Sequence, residues 1–374
     1  MRIALDARAL RRPMAGIGRY VWHLGRALAE ELPEATFLVV GCRPLDIDLP
    51  GPPERWLTCW DPAPGWGALP RLAWLRWRAG HFAKSLGADV FWGCSLQIPS
   101  LTAGIPTVLT AYDLVHREAP ETLDLKARIA LRLFLARDLR RADAVAAISQ
   151  GTADRIQAWS GRVANVLVRP AVDDQFCPPA PEAIKRLRMR LHLPQPFVLA
   201  LGTHEPRKNL ALLAEAWREA RANGHLGQLK LVLAGRAGWC HAATDHALRA
   251  LGADLVNLGY VPNEDLPTLI GTAEALVFPT RYEGFGMPVA EALACGTPVF
   301  CADAPELREA SQGAHHTISL DRASLAKTLH KIAAGNLPRP QATLLPWSWR
   351  SEAVAMAEVF RRLAAPHAQP DMRA

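Results

Sequence analysis

Residues 275–301 read ALVFPTRYEGFGMPVAEALACGTPVFC. The run Ala275–Phe278 is apolar and ends at Pro279, which suits a short strand buried on both faces. A loop with glycines at 284 and 286 follows. Pro288 suits the first turn of a helix and Gly296 suits its end, so a short, well-bounded helix leads to a second strand at Pro298–Cys301. Strand, helix and strand in that order build a parallel sheet covered by helices.

The same alternation extends outward through the chain. Upstream strand candidates are Phe197–Leu201, Leu229–Ala234 and Leu255–Leu258. In the first half they are Ile3–Leu5, Phe37–Val40, Val90–Trp92, Thr107–Ala111, Ala144–Ile148 and Val166–Val168. The stretch Arg169–Pro181 (RPAVDDQFCPPAP) interrupts the pattern with four prolines, which neither a helix interior nor a central strand accepts. It places a boundary between domain 1–170 and domain 171–346, and a last helix is expected within 347–365. The expected class is α/β, with two doubly wound, Rossmann-like domains facing each other across a cleft. In such sheets ligands bind beyond the carboxyl ends of the strands.

Two motifs fall at such ends. Gly202-Thr203-His204-Glu205-Pro206-Arg207-Lys208-Asn209 follows a strand and precedes a helix beginning near Leu210. Two adjacent cations at a helix start suit a diphosphate, Arg as a fork and Lys as a point charge. In the opening stretch, Glu283 sits in the loop and Glu291 in the helix, and Gly284 and Gly286 let a ligand approach the backbone. Carboxylates accept hydrogen bonds from paired hydroxyls, as sugars and ribose offer. In the first half, Gly16-Ile17-Gly18-Arg19-Tyr20 lies between the first strand and an amphipathic helix reaching about Glu31. It could offer backbone N–H groups to a phosphate or sugar. Val21 stands where a dinucleotide fingerprint would need its third glycine.

Together these residues resemble the retaining glycosyltransferases of the GT-B fold known as family 4, over nearly the whole chain. The most specific part is the E-x7-E motif, matched by Glu283 and Glu291. PRKNL supplies the phosphate pair Arg207 and Lys208. Val172-Asp173 through Pro178 and Trp347-Ser348-Trp349 are also similar to the family, whose last helix crosses back onto the N-terminal domain.

The resemblance implies that Arg207, Lys208 and Glu283 are the catalytic set. Glu283 would contact donor-sugar hydroxyls and Glu291 the ribose. Gly202, Gly284, Phe285 and Gly286 would line the phosphates and sugar, and Arg236, Tyr260 and Val261 the base. Gly16 and Gly18 would close the phosphate side of the cleft. It also implies a nucleotide-sugar donor, with GDP-mannose the first choice and a rhamnose donor the second, no metal cofactor, and a lipid-linked or saccharide acceptor. Asp46-Ile47-Asp48 spells a D-x-D but precedes a Pro/Gly loop and is not assigned to metal. One departure is Tyr112-Asp113, where many relatives have His-Asp; Tyr112 or His116 could replace that histidine. A nucleotide-sugar epimerase of the same fold is the alternative enzyme, and a degenerate partner subunit the non-catalytic one.

The 374 residues carry 43 Lys+Arg against 36 Asp+Glu, a net charge of +7. Residues 1–170 hold 22 of those bases and 16 of the acids, so most of the excess lies in the first half. This implies an anionic partner there or no more than a solvated surface. No nucleic-acid recognition module is evident. Trp66–Lys84 places Arg71, Trp74, Trp77 and Arg78 on one helical face. A second basic stretch contains Lys126, Arg128, Arg132, Arg137, Arg140 and Arg141. Both suggest docking on an anionic leaflet; the first reads equally well as a core helix with snorkelling arginines. Seven dispersed cysteines, an N-terminus charged too early for a signal peptide and no apolar run of about 18 residues lead to a cytoplasmic expectation, peripheral to the membrane at most.

Overall fold

The computed structural model describes residues 1–365 except 13, 15, 124, 237, 239–241 and 336, and except the side chains of Lys126 and Ala127. The chain divides into two compact units. Residues 1–112, 130–170 and the segment beginning at Trp347 form unit 1; residues 113–129 and 171–346 form unit 2.

Unit 1 is built on β1 (Arg2–Asp6), β2 (Thr36–Gly41), β3 (Trp56–Trp60), β4 (Val90–Gly93), β5 (Thr107–Ala111), β6 (Ala144–Ala147) and β7 (Val166–Leu167). They pair in parallel in the order β3-β2-β1-β4-β5-β6-β7. Unit 2 has β8 (Phe197–Leu201), β9 (Lys230–Ala234), β10 (Leu255–Asn257), β11 (Ala275–Phe278), β12 (Val299–Ala302) and β13 (His316–Ile318), again all parallel, in the order β10-β9-β8-β11-β12-β13. Both units are doubly wound and Rossmann-like, as the alternation in the sequence requires. The central strands are buried, apart from Arg2 at the start of β1, which is why they read as apolar runs. The edge strands β3 and β13 are half exposed, carry Thr, Cys and His, and gave no such run.

Two helical expectations change. Trp66–Lys84 is not one helix: Arg71–Trp77 and Ala79–Ser85 meet at a break on Arg78. Trp74 is buried with its indole N–H on Asp61 (2.9 Å), Arg78 bonds the same carboxylate, and Trp77 alone points out. The expected Trp–Arg face is therefore divided between core and surface. Gly16 to Tyr20 is not a loop either, because the helix Gly16–Glu31 begins at Gly16.

Residues 113–129 group with unit 2, although the boundary was expected at 170. The reason is local: the Leu114 N–H donates to the Tyr282 hydroxyl (2.7 Å), and Val115 and Ala119 pack with Tyr282. The helix Trp349–Ala364 belongs to unit 1 and packs along Gly16–Glu31. Ser348 caps it, the Trp347 indole donates to the Pro170 carbonyl (2.9 Å), and Glu352 accepts from the Arg169 N–H (2.7 Å).

Candidate active site

In unit 2 the strand order reverses at β8 and β11: the chain winds from β8 through β9 to β10, then returns to place β11 on the other side of β8. The loops that leave β8 and β11 at their carboxyl ends therefore flank the crevice where such sheets bind ligands. The first loop carries Arg207 and Lys208 on a 3-10 turn, Pro206–Lys208. Asn209, in the left-handed region that Asn tolerates, ends this turn before the helix Leu210–Ala222. The second loop carries Glu283. Two hydrogen bonds lock the loops together: the Arg281 N–H donates to the Arg207 carbonyl (2.8 Å), and the Arg207 side chain donates from Nη1 to the Tyr282 carbonyl (3.1 Å).

The charged side chains form one network. Glu283 pairs with Arg207 through Oε2 (2.8 Å) and with Lys208 through Oε1 (2.7 Å), while Arg207 Nε reaches Glu205 (2.8 Å). The Thr280 hydroxyl donates to Glu283 Oε1 (2.9 Å), and Lys208 Nζ lies 4.6 Å from the centre of the Phe278 ring. Burial opposes ionisation of Glu283, but Arg207 and Lys208 outweigh it and hold the carboxyl at about 2. Burial also works against the Arg207 guanidinium, yet Glu283, Glu205 and Asp113 raise its pKa above the ordinary arginine value. Lys208 goes the other way, because burial lowers it more than Glu283 restores. Asp113 is raised by burial, with Arg207 opposing. The cations are thus held in fixed positions by carboxylates before any ligand arrives, and a buried carboxylate stands ready to accept hydroxyl donors.

The other residues expected in unit 2 lie at the same edge of the sheet. Gly202 follows β8, its N–H on the Ala234 carbonyl (2.9 Å). Arg236 follows β9 and stacks on Tyr260, 4.4 Å from guanidinium carbon to ring centre; Tyr260 is exposed and Val261 buried. Gly284 and Phe285 are buried in the loop after β11. Gly286 begins the helix Met287–Ala294 at φ 105°, where a Cβ would also meet Leu307 at 2.6 Å, so only glycine fits. Glu291 is buried on that helix. Burial and then Glu291 push the neighbouring Cys295 thiol up to about 12, which leaves it protonated.

Tyr112 departs from expectation. Its ring is buried against Tyr20, and its hydroxyl donates to the Cys94 carbonyl (2.8 Å) inside unit 1, so it is committed to the core. His116 is buried on the helix Val115–Glu118; burial and Arg117 lower it to about 4, leaving it neutral at pH 7. Gly18 passes so close to the Ala9 carbonyl that a Cβ would lie 2.9 Å from it, whereas Gly16 faces open space. Asp48 of the D-x-D pairs with Arg12 (3.1 Å). The sequence reading missed Glu205, Thr280 and Tyr282. Glu205 was visible two residues before Arg207; the other two gain meaning only from their partners in space.

Comparison with known proteins agrees with this geometry. The family model described as "Glycosyltransferase Family 4" matches residues 14–176, and the one described as "Glycosyl transferases group 1" matches residues 185–333. The chain belongs to this glycosyltransferase family. Among curated relatives of the family 4 chain is the O-antigen chain mannosyltransferase B of Escherichia coli. It is 34% identical over 151 residues, 38% of this chain and 38% of that protein. The serotype-specific mannosyltransferase WbdA of the same organism is 30% identical over 184 residues, 46% of this chain and 22% of that protein. The match thus spans well under half the length of either. The Anabaena protein HepE, solved in complex with UDP-glucose, has the same two-domain fold at a TM-score of 0.68, with 18% identity and 97% of each chain covered. The fold is GT-B.

Proposed function

We propose that this chain is a retaining hexosyltransferase that moves mannose from GDP-mannose to a lipid-linked or saccharide acceptor in the synthesis of a surface polysaccharide. The observation that carries the reading is the Arg207–Lys208–Glu283 network in the unit 2 crevice. Arg207 and Lys208 bind the diphosphate and stabilise the charge that grows as it leaves. Glu283 accepts from hydroxyls of the donor sugar and Glu291 from the ribose. Gly202 and the backbone N–H groups of Gly284, Phe285 and Gly286 line the phosphates and sugar, and the Arg236–Tyr260 stack with Val261 borders the base. The bond from the anomeric carbon to the phosphate oxygen breaks, the bond to the acceptor oxygen forms on the same face, and the departing phosphate takes the acceptor proton. Neither Tyr112 nor His116 is assigned as a base. The two cations supply the charge a metal would bring, so chelation leaves turnover unchanged. Mannose is favoured by the names of the two curated relatives. A thermal-shift panel of GDP, UDP, ADP and dTDP tests the donor: GDP gives the largest upward shift, and a larger shift with any other nucleotide replaces GDP-mannose.

The basic first half supports docking on an anionic membrane surface. On the helix Leu125–Arg141, Leu125, Ile129 and Leu133 recur every four residues and are 70%, 49% and 63% exposed. Exposed Arg128, Arg132, Arg137 and Arg140 flank them; the side chain of Lys126 lies outside the described residues. An apolar stripe edged by cations suits an interfacial helix. Among the described residues no helix is long and apolar enough to cross a membrane. Co-sedimentation with vesicles rich in anionic lipid exceeds that with neutral vesicles, and Leu133→Asp removes the difference; equal binding to both vesicle types refutes the docking.

A further inference from the structure

One arm of unit 2 comes from the middle of the unit 1 sequence. Residues 113–129 follow β5 along the chain but group with unit 2. Their seat is the loop after β11 that carries Glu283. The Leu114 N–H donates to the Tyr282 hydroxyl (2.7 Å), Val115 and Ala119 pack on Tyr282 with Leu123 beside them, and Glu121 pairs with Arg281 at the surface (3.8 Å). The exposed ion pair adds little in water. The buried hydroxyl adds more, because its removal would leave the Leu114 N–H without this acceptor in the interior.

Tyr282 is held at one end and holds at the other. Its backbone carbonyl accepts from Arg207 Nη1 (3.1 Å) and lies 3.1 Å from the Thr280 hydroxyl, which donates to Glu283 Oε1 (2.9 Å). A rigid peptide plane joins this carbonyl to the nitrogen of Glu283. A turn of the Tyr282 backbone therefore moves the acceptor of Arg207 and the carboxylate of Glu283 together. Phenylalanine would fill the same core, so what the hydroxyl adds is the hold on the arm.

We propose that Tyr282 is a positioning residue for sugar transfer: seated on the arm 113–123, it orients the carbonyl that holds Arg207 and the carboxylate that follows it. The proposal rests on the reading of Arg207, Lys208 and Glu283 as the catalytic network.

Tyr282→Phe in the full-length chain tests it, since the ring stays and only the hydroxyl goes. Hydrogen exchange resolved at single amides needs no donor. The Leu114 amide exchanges about three- to tenfold faster, the range for one neutral hydrogen bond. The Arg281 amide, whose bond to the Arg207 carbonyl locks the two loops, accelerates with it. Acceleration at Leu114 alone would mean that Tyr282 holds the arm and not the site, and overturns the proposal. Turnover is read with whichever of GDP-mannose, UDP-glucose, ADP-glucose and dTDP-rhamnose the unaltered chain uses fastest. In Tyr282→Phe, kcat falls about tenfold and KM for the donor stays within about twofold, because the binding groups remain and only their placement suffers. Added to Glu283→Gln, the same change costs about threefold or less, since the carboxylate it orients is already gone. A raised KM with unchanged kcat, or equal losses in both backgrounds, overturns the proposal. Unchanged turnover in Glu283→Gln would instead refute the network itself, a question on which exchange at Arg281 has no bearing.

Discussion

The two units place arginines at equivalent points of two parallel sheets, beyond the carboxyl ends of the strands where the order reverses, yet treat them in opposite ways. In unit 2, Arg207 and Lys208 are buried and held by Glu205 and Glu283. In unit 1, Arg11 and Arg43 are exposed, and among the described residues no carboxylate pairs with them or with Arg71. A buried cation needs a paired anion to be tolerated at all, and the pairing also fixes its geometry. A cation in an open crevice is tolerated by solvent and can wait for its partner. The first arrangement suits chemistry, where charge must be positioned to a fraction of an ångström. The second suits recognition, where a charged group is to be attracted and then released.

The largest test of this contrast is to take the balance out of the unit 2 crevice. Glu283→Gln and Lys208→Ala each lower sugar transfer by about 10²–10³-fold, as for other losses of a single charge-stabilising group. Circular dichroism shows both variants folded at assay temperature. Unchanged turnover in either refutes the assignment of that network as catalytic.

A smaller effect appears in stability against pH. The folded-state pKa of Glu283, about 2, lies below its ordinary value of 4.5, so the unfolded chain holds this proton more tightly. The stabilisation is therefore fully present above about 4.5 and lost as pH falls toward 2. The gap in urea-unfolding stability between the native chain and Glu283→Gln narrows over that window, and a gap that widens on acidification would show that the carboxylate is not held ionised.

The smallest effect serves as the control. Ser348 caps the helix Trp349–Ala364 and belongs to neither charged network, and Ser348→Ala costs about 1 kcal/mol by urea unfolding. Nucleotide and pyrophosphate affinities stay as they were. A change in either would mean that the cap communicates with a crevice, and the contrast drawn between them would have to include the last helix.

Much of unit 2 was legible because its signals are local. Strand–loop–helix alternation gave β8, β9 and β11 nearly to the residue, and two short motifs gave Arg207, Lys208, Glu283 and Glu291. Tyr112 shows where this stops. A tyrosine after a strand could face ligand or core, and only the Cys94 carbonyl, 18 residues away in the chain, decided that it faces the core. Trp74 and Arg78 likewise fit a membrane-facing helix or a core helix equally well, and Asp61, which bonds both, decided for the core.

The sequence by itself determined the α/β class, the parallel sheets, the glycosyltransferase family and the identity of the charged residues at the unit 2 crevice, because periodicity, proline and glycine placement and short motifs are properties of neighbours along the chain. Tertiary structure alone decided which charges meet. It set Glu205 and Thr280 around Arg207 and Glu283, and bound Leu114 to Tyr282. These relations join residues far apart in the chain, and the energy of a charge depends on its burial and its partners, which no linear spacing encodes.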